Sequence, residues 1–254
     1  MTAAVPFDDR GLTLGDGLFE TLLAVDGALR DAEAHLARLA AGCATLGLPA
    51  PDHDAAHALV REAAAASGRM AVRLTLTAGS GGRGLMRPAE LAPRMFANAA
   101  PAPPPAGPAR LITSAVRRNE GSPASRVKSL AYLDNVLARR EAAAAGADEA
   151  LMLNGRGEAA CASAANLFWL EQDVLRTPAL DCGVLDGITR AAVIDQARRL
   201  GVPVEQVRSG PQALLAAQAV FLTSSLIGVR AAASLDGRPL RVHPLTDQLA
   251  AALA

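Results

Sequence analysis

The stretch SRVKSLAYLDNVLARR, residues 125–140, contains the only lysine of the chain, Lys128, and its only tyrosine, Tyr132. Lysine and arginine together number 25, so the other 24 of these residues are arginine. Arginine can replace lysine on a solvated surface, but it cannot supply a neutral amine, because guanidinium stays protonated. Lys128 is therefore a candidate for amine chemistry, as a Schiff-base nucleophile or a general base. The alternative is that Lys128 is an ordinary surface residue, and that its being the only lysine is a matter of chance.

The domain organisation follows from a proline-rich break. The stretch ANAAPAPPPAGPAR, residues 97–110, holds five prolines, which end helices and do not fit inside a central strand. We therefore predict an N-terminal domain over residues 1–98, a linker over 99–109 and a C-terminal domain over 110–254. Strand and helix patterns occur in both halves, so the predicted fold class is mixed α/β, or α+β.

Local patterns predict the elements of both halves. The N-terminal half reads as a hairpin over residues 18–30 around Asp26-Gly27, a helix over 31–48, a second helix that ends near 68, and a strand over 70–79. In the C-terminal half, an amphipathic helix is expected to begin soon after Lys128, with Leu130, Leu133 and Leu137 facing inward. If this helix includes both residues, Lys128 and Tyr132 share a face of it.

Composition excludes several classes of protein. The formal net charge is zero and the basic residues are scattered, which disfavours nucleic acid or an anionic membrane as a partner. Cys43, Cys161 and Cys182 are far apart and have neither metal-ligand spacing nor a disulfide pattern, so we expect no metal site and a cytoplasmic protein. The opening MTAAVPFDDRG does not resemble a signal peptide, and no apolar run approaches the ~20 residues of a membrane span.

Six segments together resemble the fold-type IV pyridoxal-phosphate enzymes, which include aminodeoxychorismate lyase and the branched-chain and D-amino-acid aminotransferases. The segments are DRGLTLGDGLFETL (9–22), HLARL (35–39), GSGGRG (79–84), KSLAYLDNVLARREA (128–142), DEALMLN…ASAANLFW (148–169) and GVLDGITR (183–190). Their order and spacing match over nearly the whole chain. The resemblance implies a small N-terminal domain, a larger C-terminal domain, pyridoxal 5'-phosphate in the cleft and a homodimer.

The resemblance also implies roles for single residues. Lys128 matches the lysine that forms the Schiff base with the cofactor, and Tyr132 matches a tyrosine near the oxygen of the cofactor ring. A guanidinium and the backbone N–H groups at a helix start both suit a phosphate. The implied phosphate contacts are Arg38, Gly187, Ile188, Thr189 and Ser225. Without the resemblance, Arg38 would be a surface helix arginine, Gly187 a turn glycine and Ser225 a polar residue at a strand end.

One position departs from the family pattern. The family usually has a glutamate five residues before the asparagine of its NLF motif, where the carboxylate pairs with the pyridine nitrogen; here that position, counted from Asn166, is Cys161. A cysteine keeps this nitrogen protonated poorly unless it is a thiolate, so transamination is less expected than elimination. Glu158 could take over only through a shifted strand register, and we predict that Cys161 occupies the position.

The segments GSGGRG and AANLFW resemble aminodeoxychorismate lyase most, an enzyme that splits 4-amino-4-deoxychorismate into 4-aminobenzoate and pyruvate. Thr21 then matches a hydroxyl that relays a proton; its alternative is an ordinary strand threonine. Arg73 and Arg83 are candidate partners of the two substrate carboxylates, although Arg83 alone would read as a solvated loop residue. Two other functions stay open: a D-amino-acid or branched-chain aminotransferase, and a non-catalytic dimeric homologue, which Cys161 would favour.

Overall fold

The computed structural model describes residues 4–253, which form two compact units. The first unit contains the chain up to Pro103 together with Val127–Tyr132, and the second contains Pro104–Arg126 and the chain from Leu133 onward. Residues 1–3 of the predicted N-terminal domain and Ala254 of the C-terminal one lie outside the described residues. The segment that carries Lys128 thus belongs with the first unit, although it lies far along the sequence.

The first unit consists of a four-stranded antiparallel sheet with helices packed against one face. Its elements are α1 (Arg10–Leu14), β1 (Gly17–Val25), β2 (Ala28–Leu29), α2 (Ala32–Leu46), α3 (His53–Ala63), β3 (Arg69–Thr77) and β4 (Arg94–Pro101). The strand order is β2-β1-β3-β4. The predicted hairpin is confirmed, since Asp26 and Gly27 both adopt positive φ and bring Ala24 opposite Leu29.

Strand β4 extends into the stretch that was predicted as a linker. It continues to Pro101, whereas the linker was expected to begin at residue 99. The proline is tolerated because β4 is an edge strand and pairs only with β3, so the missing N–H breaks no second ladder. The proline count indicated a break but could not tell an edge strand from an extended linker.

The second unit is built on a nine-stranded mixed sheet. Its elements are β5 (Ala109–Thr113), α4 (Leu133–Ala144), β6 (Glu149–Leu153), β7 (Ala159–Ala162), β8 (Asn166–Glu171), β9 (Val174–Pro178), α5 (Ile188–Arg199), β10 (Val204–Val207), α6 (Pro211–Ala216), β11 (Ala219–Ser224), β12 (Gly228–Leu235), β13 (Arg238–Pro239) and α7 (Pro244–Ala252). The order is β10-β9-β8-β11-β12-β5-β6-β7, and β13 pairs with β12. Parallel and antiparallel pairs both occur, which confirms the mixed α/β class.

Helix α4 differs from its prediction in its start and in its buried face. It begins at Leu133, so Lys128 and Tyr132 lie before it and share no helix face. Its buried residues are Asn135, Ala138 and Ala142, whereas Leu133 and Leu137 are 67% and 37% exposed. The prediction that Leu133 and Leu137 face inward was therefore wrong. The spacing of the apolar residues defines two faces of the helix. The face with the small residues Ala138 and Ala142 packs against β6.

The helices between residues 4 and 253 are short. The longest, α2, has 15 residues, and none is long and apolar enough to cross a bilayer.

Candidate active site

Lys128 is placed by backbone pairing with β1. The Phe19 N–H donates to the Lys128 carbonyl at 2.9 Å, and the Leu130 N–H donates to the Gly17 carbonyl at 3.0 Å. This antiparallel bridge sets Ser129 opposite Leu18. Since side chains alternate along extended chain, Lys128 points to the same face of the sheet as Phe19.

Phe19 is the centre of a cluster that contains several of the predicted residues. The Lys128 Nζ atom lies 4.2 Å from the centre of the Phe19 ring, and the Arg73 guanidinium carbon lies 3.7 Å from it. The Tyr132 ring meets Phe19 edge-on, with 5.1 Å between the ring centres. Thr21 is the cross-strand partner of Arg73 and shares their face. The structure thus brings Lys128, Tyr132, Arg73 and Thr21 together.

Arg38 lies on the other face of β1. Its Nε and Nη2 atoms donate to the two oxygens of the Glu20 carboxylate at 2.8 and 2.6 Å. Glu20 follows Phe19 in β1, so its side chain points to the opposite face, towards α2. Because part of its guanidinium is engaged by Glu20, the role of Arg38 at a phosphate stays a prediction.

His35 completes the Glu20–Arg38 group. Its Nδ1 atom lies 2.7 Å from a Glu20 carboxylate oxygen, and the side chains of both residues are 1% exposed. Burial alone would raise the pKa of the Glu20 carboxyl. The hydrogen bonds from Arg38 and His35 outweigh burial and hold this pKa below its usual value. Glu20 is therefore a buried anion that orients Arg38.

Arg83 lies on the exposed GSGGRG loop, and no contact among the described residues joins it to the Phe19 cluster. The base of this loop is held by Arg10, which pairs with Asp16 at 2.8 Å and donates to the Leu85 carbonyl at 2.9 Å. A side chain at Gly81 would meet the Arg10 stem at 2.6 Å, so glycine is needed for this approach. The predicted pairing of Arg83 with a substrate carboxylate stays a prediction.

In the second unit, the start of α5 forms a site suited to an anion. Its N-cap is Gly187, and no side chain among the described residues caps the helix. Its first turn contains no acidic residue. The backbone N–H groups of Ile188 and Thr189 therefore lie at the positive end of the helix dipole without a competing carboxylate in that turn.

Asn166 and Gly187 fix the backbone of this helix start. The Asn166 side-chain amide donates to the Leu185 carbonyl at 2.9 Å. A Cβ atom at Gly187 would lie 1.9 Å from the Asn166 side-chain oxygen, so only glycine fits. Asn166 pairs with Thr223 across β8 and β11, and Ser225 follows β11. Ser225 therefore lies at the same end of the sheet as the α5 start.

Cys161 is a buried, neutral thiol on β7, opposite Met152. Burial raises the pKa of the Cys161 thiol, which outweighs the opposing effect of the Arg118 guanidinium. Glu158, the alternative carboxylate, is engaged elsewhere: it accepts hydrogen bonds from Asn154 at 2.6 Å and from Arg156 at 3.0 Å. The structure therefore has a thiol rather than a carboxylate at this position of β7.

Three residues of these groups were not predicted as functional from the sequence: Phe19, Glu20 and Asn166. Phe19 and Glu20 lie within a strand whose alternation could have indicated opposite faces, but their partners come from β3, α2 and the segment 127–132. Asn166 carries a sequence signal, since it is a polar residue at the start of the largely apolar strand β8. Its partner near Gly187 is not visible without the fold.

Comparison with known proteins is consistent across sequence and structure. The family model described as amino-transferase class IV matches residues 17–235. A Methanocaldococcus jannaschii protein that carries the name of a branched-chain-amino-acid aminotransferase is 34% identical, over 97% of this chain and 89% of that one. The 4-amino-4-deoxychorismate lyase of Pseudomonas aeruginosa is 34% identical with a TM-score of 0.92, covering 100% and 95% of the chains. A hypothetical aminotransferase from Mycobacterium tuberculosis in its PLP-bound form is 26% identical with a TM-score of 0.87, covering 99% and 92%.

The Glu20 group yields a stability prediction. Glu20→Gln leaves the Arg38 guanidinium without its counter-charge, so we expect a loss of about 3 kcal/mol in the free energy of unfolding at pH 7. Since the pKa of Glu20 is lowered from 4.5, its stabilising contribution is present above that pH and is lost as the pH falls through the lower folded value. The difference between variant and wild type should therefore shrink towards pH 3. Urea unfolding at both pH values measures it.

The matched control is Glu33→Gln. Glu33 pairs with His53 at an exposed position, where its side chain is 72% exposed, so the change should cost less than about 1 kcal/mol. An equal loss from Glu20→Gln at pH 7 and pH 3 would contradict a charged Glu20.

Proposed function

Because the chain belongs to the class IV aminotransferase family, whose cofactor is pyridoxal 5'-phosphate, we propose that it is the lyase that converts 4-amino-4-deoxychorismate into 4-aminobenzoate and pyruvate. The family match places the chain in a superfamily of pyridoxal-phosphate enzymes. The choice of the lyase within that superfamily is our proposal, and it depends on the chemistry of a few residues.

The residues of the chain fit the cofactor, which carries an aldehyde and a phosphate. Lys128 supplies the only lysine amine, and we propose it as the covalent attachment point. The uncapped α5 start at Gly187, Ile188 and Thr189, with Ser225 at the same sheet end, suits the phosphate. Arg38 is proposed as a further phosphate contact, oriented by Glu20, and Tyr132 as a contact of the ring oxygen.

The proposed reaction moves one proton from the substrate ring to the leaving enolpyruvate. When bound, the cofactor supplies an electron sink for bonds at the substrate carbon that carries the amine. Once its amine is free of the cofactor, Lys128 takes the proton from that ring carbon, and the enolpyruvyl oxygen leaves from the neighbouring carbon. The proton then passes to the methylene carbon of the leaving enolpyruvate, with the Thr21 hydroxyl as a relay, and pyruvate forms. Arg73 and Arg83 bind the two substrate carboxylates.

Cys161 is the observation that favours the lyase over an aminotransferase. We propose that its thiol faces the pyridine nitrogen, where a neutral group does not hold a proton on the ring as a carboxylate would. The raised pKa of the buried thiol supports this neutral state. A weaker electron sink suffices for the lyase, because formation of an aromatic product supplies driving force, whereas transamination needs a longer-lived carbanion.

A branched-chain or D-amino-acid aminotransferase is the second candidate. The 34% identity to the Methanocaldococcus jannaschii protein favours it, and the lysine and phosphate sites would serve it equally. A non-catalytic homologue is less well supported, because the cluster of Lys128, Arg73 and Tyr132 around Phe19 would have no use in it. A small-molecule substrate is common to both enzymatic candidates.

The homodimer and the cytoplasmic location stay predictions. Leu133, Val136 and Leu137 form an exposed apolar stripe on α4, at the i, i+3 and i+4 spacing of one helix face. This stripe supports an interface with a second copy of the chain.

The reaction is tested by product analysis. The cofactor-loaded protein is expected to release pyruvate and 4-aminobenzoate in equal amounts from 4-amino-4-deoxychorismate without any 2-oxo acid. Lys128→Arg keeps the positive charge but removes the neutral amine, so it should lower the rate at least about a hundredfold. Pyruvate formation is followed with a coupled dehydrogenase. Amino-group transfer that requires a 2-oxo acid, with no pyruvate released, would establish the aminotransferase instead.

The role of Cys161 is tested by restoring a carboxylate. Cys161→Glu should raise the rate of amino-group transfer from D-alanine or a branched-chain amino acid at least about tenfold, because the carboxylate holds a proton on the pyridine nitrogen. The rate is read from the change of the cofactor's visible spectrum. Cys182→Ala is the control, since Cys182 is also buried in the same apolar cluster. An unchanged rate of amino-group transfer in Cys161→Glu would show that Cys161 does not face the ring nitrogen.

A further inference from the structure

Phe19 lies between two polypeptide segments that each contribute a basic side chain. It belongs to β1 and is 4% exposed. Strand β3, with Arg73, pairs with one edge of β1, and residues 128–130 pair with the other edge. The Arg73 guanidinium carbon and the Lys128 Nζ atom lie 3.7 and 4.2 Å from the centre of the Phe19 ring. One phenyl ring therefore contacts both basic side chains.

Arg73 differs from the other buried or half-buried arginines of the first unit. Arg10 pairs with Asp16, and Arg38 pairs with Glu20. Across residues 4–253, the guanidinium of Arg73 forms neither a hydrogen bond nor an ion pair; it lies against the ring of Phe19 and interacts electrostatically with Tyr132. Burial lowers the pKa of Arg73 and outweighs the opposing effect of Tyr132, which reflects the cost of removing the guanidinium from water.

The phenyl ring holds Arg73 without using its hydrogen-bond donors. A cation over an aromatic ring is attracted by the negative face of the ring, through the flat side of the guanidinium. The N–H groups point outward in the guanidinium plane and stay available for a planar, bidentate partner such as a carboxylate. A carboxylate in place of Phe19 would have occupied those donors.

We propose that Phe19 is the positioning residue of the substrate site: its ring holds Arg73 beside Lys128 with the N–H groups open, so that Arg73 binds a substrate carboxylate. This inference rests on the proposed function, because it requires a substrate that reacts near Lys128.

The test compares an aliphatic and an aromatic replacement. In the cofactor-loaded protein, Phe19→Leu removes the aromatic face, and Phe19→Tyr keeps it. The probes are benzoate and its neutral analogue benzamide, and binding is measured by calorimetry. We expect Phe19→Leu to raise the Kd of benzoate about tenfold and to leave that of benzamide unchanged, whereas Phe19→Tyr should bind both as the wild type does. The KM for the substrate should rise with benzoate Kd, with a smaller change in kcat.

Arg73→Gln distinguishes an effect of Phe19 through Arg73 from a general loss of packing. If Phe19 acts through Arg73, Phe19→Leu should have no further effect on benzoate binding in the Arg73→Gln protein. Equal weakening of benzoate and benzamide, or additive effects of the two substitutions, would overturn the proposal. Each variant is compared only when its visible absorption band shows that the cofactor is bound. Absence of that band from the wild-type protein would overturn the proposed function, and this inference with it.

Discussion

Two backbone hydrogen bonds hold Lys128 against β1, and the side-chain cluster around Phe19 depends on them. They join Phe19 to Lys128 and Leu130 to Gly17. The pairing requires a residue without a side chain at Gly17, since a Cβ atom there would lie 2.3 Å from the Leu76 carbonyl and 2.8 Å from the Leu130 side chain. A distant segment is thereby brought into register with β1, and the alternation of side chains places Lys128 beside Phe19.

The distribution of carboxylates decides where an anion can bind. In the first unit, Glu20 engages Arg38 on one face of β1, while the opposite face presents Arg73 against a neutral ring. In the second unit, the first turn of α5 has no acidic residue. The Arg73 guanidinium against a neutral ring and the α5 start without an acid in its first turn are therefore suited to a phosphate or a carboxylate. Cys161, which we propose at the position where the family usually has an acid, is a buried thiol whose pKa is raised by burial.

Much of the local structure could be predicted from the sequence. The hairpin at Asp26-Gly27 and helix α2 follow from turn chemistry and apolar spacing, and the rarity of lysine predicts Lys128 as a candidate for amine chemistry without any fold. The placement of Lys128 could not be predicted. The helical pattern of residues 129–146 begins four residues before the observed start of α4 at Leu133. It gives no sign that residues 128–130 pair with β1.

The contacts between distant residues could not be predicted for the same reason. Arg38 reads as a surface arginine until the strand that carries Glu20 is packed beneath it. The leucines of α4 read as a core face, because periodicity does not tell which of two faces meets the sheet. Phe19 reads as an ordinary strand residue, since its partners lie in β3 and in the segment 127–132. Long-range pairing decides these positions, and a single sequence does not encode it in any local pattern.

The central claim is that Lys128 is the amine that carries the cofactor, and mass spectrometry of the reduced protein tests it most directly. The cofactor-loaded protein is treated with borohydride, digested and analysed peptide by peptide. We predict that the mass of a phosphopyridoxyl group is added to the peptide that contains Lys128 and to no other peptide. Addition at the N-terminal amine, or no addition at all, would contradict the claim.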